Sequence, residues 1–173
     1  MEIKKQNNLL ELFYQQYLKE KPDQIFLKSL KNFENEFTWK ETYLNILKLS
    51  QELSSFIENK DRCLLISENR PEWMISDLAI MLSKGITVPA YTTYVERDYE
   101  YLINDCNPSV VIVSDSLQYN KIKNIVKSKP FIKKILSFEE IKDANEVMYV
   151  KNIFEKKKYQ EKNFLNLDIS RKD

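Results

Sequence analysis

Apolar residues fall into two regimes along the chain, helical spacing over roughly the first sixty positions and short strand-like runs alternating with helices after them. Leu9, Leu10, Leu12, Phe13, Tyr17 and Leu18 recur at helical intervals and stop at Pro22, which predicts an amphipathic first helix. Ile25–Leu30 and Asn35–Phe37 flank the polar run Lys31–Glu34, so a hairpin of two short strands should follow. Thr38 with Glu41 three positions on is a capping box. It opens a helix whose stripe is Trp39, Tyr43, Ile46, Leu47, Leu53, Phe56 and Ile57, expected to end near Asn59.

From Arg62 the period changes. Strands are expected at Arg62–Ser67, Ile86–Tyr91, Ser109–Ser114 and Ile132–Ser137, separated by helices at Pro71–Lys84, Glu96–Asp105 and Leu117–Lys127. That alternation is the sign of right-handed βαβ units building a parallel sheet. The Pro71 helix should be capped by Asn69 or Arg70, closed by Gly85 in a left-handed conformation, and buried, because Trp73–Leu82 leave it almost no polar face. The Glu96 helix turns Tyr99, Leu102 and Ile103 inward, and the Leu117 helix turns Ile122, Ile125 and Val126. After Phe138 the pattern predicts a short helix at Glu139–Lys142, a charged one at Met148–Lys158 and a connector over Asn163–Asp173. The class is therefore α/β: a helix–hairpin–helix region over 1–60, a βαβαβαβ parallel-sheet unit over 61–140, and a charged helix and connector over 141–173.

Composition narrows the chemistry. The 173 residues contain one glycine, Gly85, where average usage of about 7% would give about twelve. A dinucleotide fingerprint needs three glycines and a phosphate loop at least two, since backbone N–H groups must approach phosphate with no Cβ in the way. Histidine is absent, which removes the commonest general base and metal ligand and argues against zinc chemistry and Ser-His catalysis. Cys63 and Cys106 are far apart, form no Cys-x-x-Cys pair and read as buried thiols. Lysine plus arginine (27) nearly cancel aspartate plus glutamate (26), so no global field points to nucleic acid. Met1–Glu20 has no secretion pattern, and the longest apolar run, Leu78–Leu82, is far short of the about 20 residues of a membrane span. The expected location is cytoplasmic, with peripheral membrane contact left open.

Leu65-Ile66-Ser67-Glu68-Asn69-Arg70-Pro71-Glu72-Trp73, then Asp77-Leu78-Ala79-Ile80, Gly85 and Val88-Pro89-Ala90-Tyr91, resembles the acyl-CoA synthetases of the adenylate-forming superfamily, in particular the long-chain fatty acid ligases. The Thr38–Glu41 helix start, the tyrosine-rich stretch Tyr99–Cys106 and the strand Pro108–Ser114 fit the same order, so the resemblance spans about Leu9–Asp115. It implies an incomplete N-terminal subdomain of the adenylate-forming fold. It also implies a full-length relative in which fatty acid and ATP give acyl-adenylate and diphosphate, and coenzyme A then displaces AMP. In that family a Ser/Thr- and Gly-rich loop ending in Pro-Lys-Gly holds the ATP phosphates, and a segment such as Ile169–Asp173 commonly precedes it. The expectation is a fragment, inactive alone, with ATP, magnesium and coenzyme A handled by the missing remainder, which would be its natural packing partner.

No residue is assigned a catalytic, cofactor-binding, substrate-binding or metal-binding role. Four groups could be given one, and for each a structural duty is preferred. Asn69, Arg70 and Trp73 stand where a strand meets a helix N-terminus, yet suit a cap, an ion pair and a core anchor. Thr92, Thr93 and Tyr94 end a strand and suit turn and cap duty; Tyr99 and Tyr101 suit helix packing; Lys156, Lys157 and Lys158 suit a solvated helix face. Two other readings stay open: a non-catalytic α/β binding or interaction module, and an adenylate-forming ligase of aryl or peptide-synthetase type.

Overall fold

The computed structural model describes residues 8–29, 36–162 and 164. Helix α1 (Leu9–Tyr17) starts at Asn8, whose side chain accepts the Glu11 N–H at 2.9 Å. Strands β1 (Ile25–Lys28) and β2 (Glu36–Thr38) pair antiparallel. The turn expected at Lys31–Glu34, with Leu30 and Asn35 beside it, lies outside the described residues. Thr38 and Glu41 form the capping box of α2 (Trp39–Leu53). Two further first-turn donors, Trp39 N–H and Lys40 N–H, find the carbonyls of Gln24 and Pro22, so the helix start is pinned to the hairpin entry. Phe26 stacks on Trp39 at 3.7 Å between centroids, joining hairpin to helix.

The second part is a five-stranded, wholly parallel sheet in the order β4-β3-β5-β6-β7. Its strands are β3 (Arg62–Ile66), β4 (Ile86–Ala90), β5 (Val110–Val113), β6 (Lys134–Ser137) and β7 (Val147–Tyr149). Helices α3 (Pro71–Leu82), α4 (Glu96–Cys106), α5 (Ser116–Lys127) and α6 (Val150–Phe154) are the remaining elements among the described residues. Both faces are covered. Cys63, Leu65, Val110, Ile112 and Leu136 point into a core shared with α1, α2, α3 and α6, while Leu64, Ile66, Val111, Val113 and Ile135 point into one shared with α4 and α5. Continuous apolar runs such as Val110–Val113, buried at every position, are what a strand covered on both faces requires.

The ends of α3 depart from expectation. The N-cap position is Arg70, but its side chain makes no capping bond, and Asn69 is exposed. Pro71 at the first helical position needs no donor partner, which relaxes the demand for a cap. At the other end the left-handed residue is Lys84 (φ 64°), not Gly85. Gly85 N–H donates to the Ile80 carbonyl and Lys84 N–H to that of Met81, the paired bonds of a Schellman closure. Gly85 is needed for room instead. A Cβ there would stand 3.1 Å from Ile80 Cγ2 and 3.3 Å from both the Asp61 carbonyl oxygen and Ile57 Cγ2.

Three further expectations are corrected. Helix α2 ends at Leu53 rather than near Asn59; Ser50 and Ser54 donate their hydroxyls back to the Leu47 and Ser50 carbonyls, and the chain then turns through Phe56. Glu139–Lys142 is not helical. The charged helix at Met148–Lys158 is instead the short strand β7, the five residues of α6, and an extended strap. Glu155–Lys158 offers no apolar residue to hold a helix against the core.

The strap lies along α2. Gln51 and Gln160 exchange hydrogen bonds, Gln51 Nε2 to the Gln160 carbonyl at 2.7 Å and Gln160 N–H to Gln51 Oε1 at 3.1 Å. Tyr43 donates its hydroxyl to the Lys162 carbonyl at 2.9 Å. Phe164 ends the strap, fully buried, with its ring 5.2 Å from Tyr14, 5.3 Å from Tyr43 and 6.3 Å from Phe13. Apart from Phe164, the connector expected over Asn163–Asp173 lies outside the described residues.

Candidate functional site

Open parallel sheets bind ligands outside the carboxyl ends of their strands, where successive crossovers go to opposite faces. Here that point lies between β3 and β5, since α3 packs on the α2 side and α4 and α5 on the other. The rim consists of Ser67–Arg70 after β3, Ser114–Asp115 after β5 and Phe138–Glu139 after β6. Backbone bonds lace it together: Ser114 N–H donates to the Ile66 carbonyl at 2.9 Å, Phe138 N–H to that of Val113 at 3.0 Å and Glu139 N–H to that of Ser114 at 3.1 Å.

Arg70 dominates the rim. Its guanidinium forks onto Glu72, Nε to Oε2 at 2.9 Å and Nη2 to Oε1 at 3.3 Å. Nη1 reaches Glu139 at 3.4 Å and Glu68 at 3.6 Å. The Phe138 ring lies under the guanidinium, 5.4 Å from centroid to Cζ. Burial opposes the charge of Arg70, but Glu72, with Glu68 and Glu139, outweighs it and holds the guanidinium above its ordinary pKa. The α5 N-terminus is likewise taken, because the Asp115 carboxylate accepts Gln118 N–H at 2.9 Å. An arriving phosphate would meet carboxylates and a committed arginine. The rim therefore offers an arriving phosphate no uncommitted cation among the described residues. Among the described residues, no three histidine, cysteine, aspartate or glutamate side chains gather as a metal site.

The other candidate residues have structural surroundings. Trp73 is half-buried against the α2-side core. Thr92 and Thr93 form the turn after β4 but do not cap α4; its Val95 N–H donates to Asp98 instead, at 3.3 Å. Lys121 Nζ from α5 ties that turn down through the carbonyls of Thr92 (2.7 Å) and Tyr94 (3.1 Å). Tyr99 is fully buried and donates its hydroxyl to the Tyr91 carbonyl at 2.8 Å; burial, with Tyr94, Asp115 and Asp98 nearby, pushes its pKa to about 12. Tyr101 stands exposed. Lys156 pairs with Glu52 of α2, while Lys157 and Lys158 are exposed on the strap. Glu139 had no local signal in the sequence, because its partner Arg70 lies 69 positions away.

The sequence pattern of the family described as AMP-binding enzyme matches residues 14–167, most of the chain. The chain belongs to the AMP-binding enzyme family. AMP-binding relatives include a long-chain-fatty-acid–CoA ligase (ACSBG1) of Rattus norvegicus, 29% identical over 84 residues, covering 49% of this chain and 12% of the relative. Long chain acyl-CoA synthetase 3 of Arabidopsis thaliana is 28% identical over 111 residues, 64% of this chain and 17% of its own. The chain thus aligns with under a fifth of the length of these relatives. Among solved structures, a mutant coronafacic acid ligase from Pectobacterium brasiliense superposes with a TM-score of 0.74 at 17% identity, over 91% of this chain and 31% of that one. This likeness supports the fold. No helix among the described residues is long and apolar enough to cross a membrane.

Proposed function

We propose that the chain is the α/β scaffold of an ATP-dependent ligase joining long-chain fatty acids to coenzyme A, and that these 173 residues alone do not activate an acid. The observation that carries the reading is the Ser67–Trp73 turn, locked by the Arg70–Glu72 fork, in a chain whose relatives include long-chain acyl-CoA ligases by name. Residues outside this stretch would bind ATP, magnesium and coenzyme A, and supply the electrostatic stabilisation that phosphate chemistry needs. The scaffold's task is to hold the strand ends in register.

The test is ATP–diphosphate exchange on the purified chain with long-chain fatty acids. Background-level exchange is expected, and turnover above it overturns the inactivity. Reading the coding sequence beyond Asp173 is the companion experiment: an in-frame phosphate loop supports the ligase, and unrelated sequence after a stop supports an interaction module. The second reading is favoured by one observation, the sealing of the α1–α2 layer by Phe164. A module should sediment as a monomer at high concentration, whereas a scaffold lacking its remainder should self-associate.

A further inference from the structure

Between the end of α2 and the strap a cavity of about 660 Å³ stays open, walled by Ser50, Gln51 and Ser54 on one side and by Tyr159, Gln160 and Lys162 on the other. The strap is therefore held at points and does not pack along its length. Those points have the form of a groove holding a peptide. Gln51 presents its side-chain amide to Gln160 as a neighbouring strand would present a rung, giving Nε2–H to the carbonyl at 2.7 Å and taking the N–H at 3.1 Å. The Tyr43 hydroxyl donates to the Lys162 carbonyl at 2.9 Å. Both contacts are to main chain, and Gln160, Glu161 and Lys162 are exposed.

Side-chain recognition is left to two places. Lys156 pairs with Glu52 of α2. Phe164 fills a socket that α1 and α2 build without it, since Tyr17 stacks on Tyr43 at 4.5 Å and Phe13 on Trp39 at 5.9 Å. Main-chain bonds with one buried aromatic anchor are the means by which a groove takes an extended segment. The adjacent lysines Lys156–Lys158 repel one another and keep the stretch that joins strap to α6 extended, as a hinge requires.

We propose that the α1–α2 groove is a docking site for an extended peptide with a phenylalanine anchor, filled within one chain by its own strap and open by exchange to the strap of a second copy. Exchange needs no new contact, because every bond made within one chain is made again between two. The proposal does not depend on the ligase reading.

The probe is a dye-labelled peptide of residues 156–164, titrated by fluorescence anisotropy into the whole chain and into its Phe164→Ala variant. The emptied socket should bind it about tenfold more tightly than the wild type, where the chain's own strap competes. Adding Gln51→Ala to Phe164→Ala should remove most of that gain, and a peptide with alanine in place of its phenylalanine should bind neither chain. Phe164→Leu, a gentler change, carries the same comparison if Phe164→Ala folds poorly. In the companion experiment the wild type is refolded at high concentration and sedimented. An exchanged dimer is expected, and Phe164→Ala should give none. Equal peptide affinity for the wild type and the folded variant would mean that the lysine run alone is binding, and would overturn the proposal, as would no binding at all. A wild type that refolds only as monomer sinks the exchange, and self-association that persists in Phe164→Ala assigns it to other faces and sinks it too.

Discussion

Arg70 and Glu72, two residues apart at the start of α3, hold each other through two hydrogen bonds of 2.9 and 3.3 Å, with side chains only 12% and 9% exposed. Removing the arginine strands a largely buried carboxylate. Arg70→Ala should therefore lower stability by about 3 kcal/mol. Arg70→Lys should recover only part, because an ammonium cannot fork. Adding Glu72→Gln to Arg70→Ala should restore at least half the loss by removing the stranded charge. Urea unfolding midpoints of the four proteins check this.

Phe164→Ala should cost about 3 kcal/mol, the range for deleting a buried aromatic ring. Released from its anchor, the strap should let the Gln160 amide exchange with solvent faster. Tyr43 supplies an independent readout: burial, with Tyr14, Tyr17 and Glu161 nearby, pushes its phenol up to about 12. In the variant its ultraviolet titration should move down toward the ordinary tyrosine range.

Asp77 on α3 gives stability a pH dependence of unusual sign. Burial raises its carboxyl pKa, and the nearby Thr87 hydroxyl only partly opposes it. A folded pKa above the unfolded one means that the contribution is present below the unfolded value, about 3.9, and is lost as pH rises through the folded value. At neutral pH the carboxylate is a net cost. Asp77→Asn should stabilise the protein at pH 7, with the gain shrinking toward pH 4 in parallel thermal melts.

Both thiols should resist alkylation in the native protein. Burial, helped by Asp61, pushes Cys63 up to about 12, leaving about one thiolate in ten thousand at pH 8. Cys106 is raised in the same direction but lies slightly nearer the surface. Iodoacetamide followed by mass spectrometry should label Cys106 first and Cys63 only at the rate of unfolding.

Local signals were the legible ones. The capping box at Thr38 and Glu41, the apolar faces of α2 and α3, and the four strands β3 to β6 could be read because a single segment states each of them. β7 escaped because three residues are too few to show a period, and its place is fixed by Ile135–Ser137 of the neighbouring strand. The strap escaped for a similar reason: Phe164 is informative only once Tyr14 and Tyr43, more than a hundred positions away, are seen around it. Gly85 was noticed for its rarity but explained wrongly, since the constraint comes from Asp61 and Ile57 rather than from its own backbone angles. At the rim, Arg70 was visible and its neutralisation by Glu139 was not.

Strand β4 forms one margin of the sheet, and its ladder with β3 has a directional result. Ile86 N–H donates inward to the Asp61 carbonyl, so Ile86, Val88 and Ala90 address β3, while Thr87 and Pro89 face away. Proline has no N–H to offer, which leaves Thr87 as the sole outward backbone donor on that margin. A visiting strand would meet the outward carbonyls of Thr87 and Pro89 but only the Thr87 N–H as donor, a ladder with a bond missing. If the chain self-associates, side-chain faces are favoured over the β4 edge, where a single imino acid weakens strand-to-strand pairing.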